Sequence, residues 1–449
     1  MKKRILLCLA HMSETGMERK FVQEAFDDNW VVPLGPNVNG FEEDLEKFVN
    51  QVDTKSGKHT LDKKVVALSS GTAAVHLALL ACGVQPGDEV LVQSFTFCAS
   101  ANPVTYLGAI PVFVDSEPDS WNMDPELLEK AIVDRISKTG KKPKAIIPVA
   151  LYGMPYQIDK IMEIADKYEI PVVEDAAEGF GSRYNGQVLG TFGHYGVLSF
   201  NGNKMITTSG GGALICPNKE EGDRVMWYAT QARESYPYYQ HETIGYNYRM
   251  SNICAGIGRG QMTIVNEHIA HHQHVHQLYV ELFSKIDGIE VHSQPANGRY
   301  ASNYWLTSIL IDESLKIKGQ ENAYKNIITS PVGGVPAVIH AASSARTDCQ
   351  PNDNVEALRM ALEKAGIESR PLWKPMHKQP VYCRTNEKLG MRNEELSHGI
   401  IRQTSATSVA YVNGVSENIF KKGMCLPAGP WVKDEDVKRI VETIKANII

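Results

Sequence analysis

From Lys64 to about Ile215 the chain alternates short apolar runs with stretches of helical period. Residues 65–68, 89–93 and 110–114 are apolar runs of strand length, and residues 72–82 form a helical stretch rich in alanine and leucine. The continuous apolar run 144–151 predicts a strand buried on both faces. A helix over 159–168 and a strand over 171–174 follow. Strand, helix and strand at this spacing predict βαβ units on a mainly parallel sheet with right-handed crossovers. After Asn266 the pattern changes to a long histidine-rich helical stretch, strands near 304–311 and a helix over 355–365. Residues 330–353, rich in Gly, Pro, Ser and Ala, predict a long loop or insertion. The expected class is α/β, with a large domain over 1–265 whose mainly parallel sheet is sandwiched by helices. A smaller C-terminal α+β domain over 266–449 completes it, and 449 residues suit two such cores.

Bulk properties remove several classes of function. An apolar fraction of 43% and a charged fraction of 22% are ordinary globular values. A net charge of −6 offers no electrostatic footprint for nucleic acid. Met1-Lys2-Lys3-Arg4 and the apolar residues 5–10 imitate a signal peptide. That run is shorter than the roughly 7–15 residues of an h-region, and His11, Ser13 and Glu14 close it. No apolar stretch approaches the roughly 20 residues needed to span a bilayer, so a cytoplasmic protein is expected. Eight cysteines without a C-x-x-C pair predict reduced thiols rather than a disulfide frame or zinc site. His268, His272 and His276 share a helix face at i, i+4, i+8, with His271 and His274 beside them. Such a face can hold zinc or nickel, but no carboxylate joins it in a catalytic pattern, and no metal site is expected.

Three separated segments suit one cofactor site. Ser69-Ser70-Gly71-Thr72-Ala73-Ala74 lies between a strand and a helix, where free N–H groups and the helix dipole attract phosphate. Its bland alternative is an ordinary N-cap. Val172-Val173-Glu174-Asp175-Ala176-Ala177-Glu178 is an apolar strand ending in carboxylates, at the edge where ligands of such sheets collect. An aspartate there can pair with a protonated pyridine nitrogen; otherwise it is a cap or a loop ion pair. Leu198-Ser199-Phe200-Asn201-Gly202-Asn203-Lys204 carries a lysine flanked by apolar and small residues, which burial can make nucleophilic. Most lysines are merely solubilising; the order of phosphate loop, carboxylate and lysine gives this one its weight. A nicotinamide-linked dehydrogenase would need G-x-G-x-x-G after the first strand, and residues 69–74 do not supply it.

These segments stand in order with Trp30, Gly35-Pro36, Phe41-Glu42, Gly87-Asp88-Glu89-Val90, Ser94-Phe95-Thr96-Phe97 and Gly245-Tyr246-Asn247-Tyr248-Arg249-Met250-Ser251-Asn252. From about Met17 to its end the chain resembles the DegT/DnrJ/StrS sugar aminotransferases, a branch of the fold-type I pyridoxal-phosphate (PLP) enzymes. The resemblance implies that Lys204 carries PLP and moves protons, and that Asp175 holds the ring nitrogen. It implies that Phe97 stacks on the ring and that Gly71, Thr72 and Ser199 bind the phosphate. Asn247 would reach the phosphate of the neighbouring subunit, making a homodimer with active sites at the interface. Glu178 stands beside the ring where many relatives carry Gln or His. Relatives that remove a sugar hydroxyl carry histidine in place of Lys204, so aminotransfer is expected. Arg370-Pro371-Leu372-Trp373-Lys374-Pro375-Met376-His377 looks like a stretch of enzymes making 4-amino-4,6-dideoxy sugars. His377, Trp30 and Arg249 are accordingly expected on the substrate side. The implied reaction moves an amino group from L-glutamate to UDP-4-keto-6-deoxy-N-acetylhexosamine, in glycan or polysaccharide biosynthesis. The histidine-rich segment is expected to be a polar surface helix. Other readings are a fold-type I PLP enzyme acting on an amino acid, and a non-catalytic regulator keeping the fold.

Overall fold

The computed structural model describes residues 4–54, 57–324, 349–383, 394–396, 399–405 and 408–449. Of the loop expected over 330–353, residues 330–348 lie outside the described residues, and Asp353 already opens a helix. Helices α1 (Met17–Asp27) and α2 (Pro36–Val49) lead into the strands β1 (Lys64–Leu68), β2 (Glu89–Gln93), β3 (Ile110–Val114), β4 (Ala145–Ile147), β5 (Val173–Asp175), β6 (Tyr195–Ser199) and β7 (Gly212–Cys216). In space they run β1-β7-β6-β5-β4-β2-β3, with β4 joined to β5 by bridges from Ile146 to Val172 and from Val149 to Asp175. Neighbours are parallel from β6 through to β3, whereas β7 runs antiparallel to both β6 and β1. Strand residues such as Val66, Leu91 and Ile146 are buried because helices cover both faces, so these segments read as unbroken apolar runs.

Local chemistry sets where the elements stop. Helix α3 (Gly71–Ala81) starts at Ser70, which is extended and whose hydroxyl accepts from Ala73 N–H at 3.1 Å. The apolar run over 144–151 gives a strand only over Ala145–Ile147, shorter than the pattern predicts. Pro148 has no N–H to continue the ladder. Beyond it Leu151–Gly153 turns as a 3₁₀ segment, with Tyr152 at φ 53° and Gly153 at φ 92°. The strand predicted over 171–174 lies at Val173–Asp175, so its last residue delivers the Asp175 carboxylate to the sheet edge.

The C-terminal half builds an antiparallel sheet from β8 (Ile289–Val291), β9 (Thr307–Ile311) and a later strand over Gly423–Leu426. It shares a core with the helices Val265–Phe283, Asp353–Lys364 and Asp434–Asn447, including Tyr279, Ile309, Leu358, Met424 and Ile440. Several contacts cross between residues 1–265 and 266–449, among them the pairing of Arg183–Tyr184 with Tyr300–Ala301. Strand Ser408–Val412 adds in parallel to β3, and Ile5 bridges Ile367.

The histidine-rich helix Val265–Phe283 is not a polar surface helix. His268, His272 and His276 are buried on the face shared with Val275, Tyr279 and Phe283. Neutral imidazoles can bury: His268 Nδ1 lies 3.1 Å from Met205 O, and the His276 ring stacks on Tyr304 at 3.6 Å. Burial lowers the pKa of His272 to about 3 and of His276 to about 4. His274 is exposed and pairs with Asp434 at 2.8 Å. Among the described residues no group of three or more His, Cys, Asp or Glu is placed to hold a metal ion.

Gly153 joins the two halves. Its left-handed φ suits glycine, and a Cβ there would overlap Asn303 Oδ1. Gly153→Ala should therefore cost about 2–4 kcal/mol, from backbone strain plus overpacking. Thermal unfolding would check this, and an unchanged melting temperature would show that Asn303 can yield.

Candidate active site

In a helix-covered parallel sheet, ligands collect beyond the carboxyl ends of the strands. Here those ends surround a cavity of about 280 Å³. Gly71 and Thr72 line it after β1, Phe97 and Ser100 after β2, and Asp175 and Glu178 after β5. Ser199 and Lys204 follow from β6, while β7, running the other way, brings Gly210 and Gly211 to the same edge. The three segments singled out in the sequence thus meet in one place.

One wall is a helix N-terminus. The first amides of α3 have no intrahelical partner, and Ser70 already occupies Ala73 N–H. Gly71 allows the approach of β6, because a Cβ there would stand 3.0 Å from Ser199 Cβ.

Charge is concentrated opposite. Asp175 is buried, with Ser100 Oγ donating to Oδ2 at 2.6 Å and Ala177 N–H donating to Oδ1 at 3.1 Å. Burial raises its pKa, against those two donors and the Lys204 charge. No lysine or arginine forms an ion pair with Asp175 among the described residues. Lys204 Nζ instead donates to Glu178 Oε1 at 3.1 Å, with side chains only 12% and 3% exposed. Glu178 Oε2 accepts from Tyr152 N–H at 2.9 Å. Burial is again the largest influence and raises the Glu178 pKa. Beneath the lysine, Nζ lies 4.2 Å from the centre of a Trp305 ring, and Trp373 lies 5.3 Å from Phe97.

The residues present fit PLP. Asp175 is a buried carboxylate with no direct ion pair among the described residues, suited to a protonated ring nitrogen. The α3 N-terminus with Thr72 and Ser199 suits a phosphate, and Lys204 reaches into the space between them.

Four expected residues are not in this cavity. Trp30 and Asn247 are exposed on the surface of the chain. The Arg249 guanidinium is buried against Glu42 at 2.5 Å and donates to Ala67 O at 2.9 Å, so its charge is spent on the scaffold. His377 is fully buried: Nδ1 lies 2.6 Å from Ser94 Oγ, and Nε2 lies 3.1 Å from Glu417, which also binds Lys378. Ser94, His377 and Glu417 have the order of a nucleophile triad, yet Ser94 is sealed from solvent. They fasten residues 376–378 to the end of β2, and neither Arg249 nor His377 lines this cavity.

The sequence reading missed Ser100, Trp305 and Trp373. Trp373 lies within the stretch already flagged, four residues before His377. Ser100 lies three residues after Phe97, and its hydroxyl is also 2.8 Å from Thr96 Oγ1. Trp305 carries no local signal.

Residues 13–332 match the DegT/DnrJ/EryC1/StrS aminotransferase family. EpsN of Bacillus subtilis, a protein assigned as a pyridoxal phosphate-dependent aminotransferase, is 38% identical over 444 residues, 99% of this chain and 96% of its own length. GDP-perosamine synthase of Escherichia coli O157:H7 is 32% identical over 432 residues, 96% of each chain. A solved DegT DnrJ EryC1 StrS aminotransferase from Brucella abortus has a TM-score of 0.75 at 26% identity, covering 96% of this chain and 95% of its own. No helix among the described residues is long and apolar enough to cross a membrane. Sequence match, near full-length relatives and shared architecture agree: this chain belongs to the DegT/DnrJ/EryC1/StrS aminotransferase family and is a PLP-dependent sugar aminotransferase on the fold-type I scaffold.

Proposed function

We propose that the enzyme transfers the amino group of L-glutamate to the keto carbon of a UDP-linked 4-keto-6-deoxy-N-acetylhexosamine, within glycan or polysaccharide biosynthesis. The observation carrying this reading is the Lys204–Glu178 pair facing the unpaired Asp175 carboxylate at the strand ends. PLP, when bound, supplies a sink for the electron pair released as a C–H bond next to nitrogen breaks. Lys204 Nζ takes the proton from the donor α-carbon and, in the second half, delivers one to the sugar carbon bearing the new nitrogen. Asp175 keeps the ring nitrogen protonated, and Glu178 holds Lys204 in place. The amides at Gly71 and Thr72, with the hydroxyls of Thr72 and Ser199, would hold the phosphate, and Phe97 would pack against the ring.

Trp373 supports the substrate assignment, since it brings the stretch resembling 4-amino-sugar enzymes to the cavity wall. Trp30 and Asn247 would act on the cavity of a second copy. The exposed Val31, Leu34, Tyr238, Tyr239 and Ile244 near them in sequence offer the apolar surface that a homodimer would cover. A GDP-linked keto-sugar is the second reading, favoured by the likeness to a GDP-perosamine synthase.

The assignment is tested on purified holoenzyme by following the absorbance of bound PLP. L-glutamate should shift the band, and UDP-4-keto-6-deoxy-N-acetylglucosamine should restore it with a sugar amine detectable by mass spectrometry. Restoration by a GDP-linked 4-keto-6-deoxy sugar alone would select the second reading, and no response to glutamate would refute the donor.

Lys204→Ala should lower turnover by at least about 10³-fold while still binding PLP without a covalent bond. Near-normal turnover would remove Lys204 from its role. Asp175→Asn should slow turnover by roughly 10²-fold or more, since the ring nitrogen loses its charged partner. The same change should raise the melting temperature of the cofactor-free protein at pH 7. A carboxyl whose folded pKa is raised contributes stability at low pH that is lost as pH rises through that value. The gain from Asn should therefore shrink as the pH falls toward the unfolded aspartate value of about 4. A gain independent of pH would mean that burial of the charge is not its cause.

A further inference from the structure

A segment from the C-terminal half, Ser302-Asn303-Tyr304-Trp305, crosses behind the cavity and is tied to three of its loops. Ser302 Oγ donates to Gly153 O at 2.9 Å, and Asn303 Nδ2 donates to Glu178 O and Phe180 O at 2.8 and 2.9 Å. Asn303 Oδ1 then accepts from Trp305 N–H at 2.9 Å, which fixes where the indole begins. The Trp305 Nε1–H donates at 2.6 Å to the carbonyl of Asn203, the peptide immediately before Lys204. The lysine amide in turn donates to Asn201 O at 2.9 Å, so the turn is held at both ends.

We propose that Trp305 is a positioning residue for Lys204, holding its turn by the indole N–H and its ammonium by the indole face. Lysine ends a flexible four-carbon stem, and its terminal nitrogen has no preferred direction of its own. Two groups supply one here: Glu178 Oε1 beside Nζ at 3.1 Å, and the Trp305 ring at 4.2 Å. An aromatic face attracts an ammonium most strongly where water is excluded, and Trp305 is only 2% exposed. Both groups depend on Asn303, which holds the Glu178 backbone with its amide nitrogen and the Trp305 backbone with its amide oxygen. The 302–305 segment therefore sets the lysine's position from a part of the chain about a hundred residues away. Its contribution acts when Lys204 is free, between its release from PLP and its return.

The inference rests on Lys204 being the lysine that carries PLP. The test compares wild type, Trp305→Phe and Trp305→Leu, each alone and combined with Lys204→Ala, using PLP itself as the probe. Phe keeps a ring but loses the N–H; Leu loses both. Covalent capture is read as the borohydride-fixed PLP mass on the Lys204 peptide over time, starting from cofactor-free protein. Capture should slow by about 10-fold in Trp305→Phe and about 100-fold in Trp305→Leu, with kcat falling in the same order. KM for both substrates should stay within about threefold, because the proposed role of Trp305 is exerted on Lys204. In the Lys204→Ala background the Trp305 changes should leave PLP affinity unaltered. Wild-type capture by Trp305→Phe, in protein that melts normally, would overturn the inference. So would a loss of PLP affinity as large without the lysine as with it, which would make Trp305 a cofactor contact. If Lys204→Ala still captures PLP covalently, the lysine assignment itself falls, and that is seen before any Trp305 variant is compared.

Discussion

Two buried carboxylates share one lysine at the centre of this enzyme, and much of the fold serves to make that arrangement tolerable. Asp175 and Glu178 lie three residues apart at the end of β5, both pushed toward their neutral forms by burial. Lys204 compensates only one of them directly. The other is met by a serine hydroxyl and a backbone amide, neither of which carries a charge. A protonated ring nitrogen would complete the neutralisation, so holding the cofactor and stabilising the protein become the same event. Strand order serves this arrangement: β5, flanked in parallel by β4 and β6, ends level with both the helix N-terminus after β1 and the lysine turn after β6.

What could be read in the sequence was whatever had a local cause. Ser70-Gly71-Thr72 announces a helix start because an N-cap, a close approach and open amides all need those residue types within three positions. Asp175 and Lys204 were legible because each closes an apolar strand or its turn, and a charged group there must face the sheet edge. The apolar run over 144–151 is longer than its strand because Pro148, though apolar, is a missing donor. Within 370–377 the residue that lines the cavity is not the one whose chemistry draws attention. His377 is chemically conspicuous, while Trp373 is the one that reaches the cavity. Polarity points to chemistry only when the side chain has somewhere polar to go, and His377 goes to Ser94 and Glu417.

Trp305 was illegible for a different reason. Its partners, Asn203 and Lys204, lie about a hundred residues earlier, and an apolar residue before a strand has no distinguishing neighbour. The histidine helix shows the same limit in reverse. Its i, i+4, i+8 spacing correctly placed three rings on one face, but the spacing does not say whether that face meets water. The rings are buried because the opposite side of the helix already carries the charges, Glu267 and the His274–Asp434 pair among them.

Those buried histidines and the site carboxylates pull against each other as the pH falls. His272, His276 and His292 have folded pKa values of about 3, 4 and 3, far below the unfolded value of about 6.5. A base with a depressed folded pKa contributes stability above the unfolded value and loses it as the pH drops toward the folded one. Each therefore removes about 1.4 kcal/mol per pH unit below 6.5, and the three together about 4. The carboxylates act oppositely, since protonation relieves their burial, but that relief ends near pH 4, where the unfolded carboxyls also protonate. Two of the histidines lie directly behind the active site: His276 stacks on Tyr304, and His272 is packed by the backbone of Tyr304 and Trp305. A proton forced onto either ring would strain the segment that positions Lys204, so acid acts on the core and on the site through neighbouring side chains.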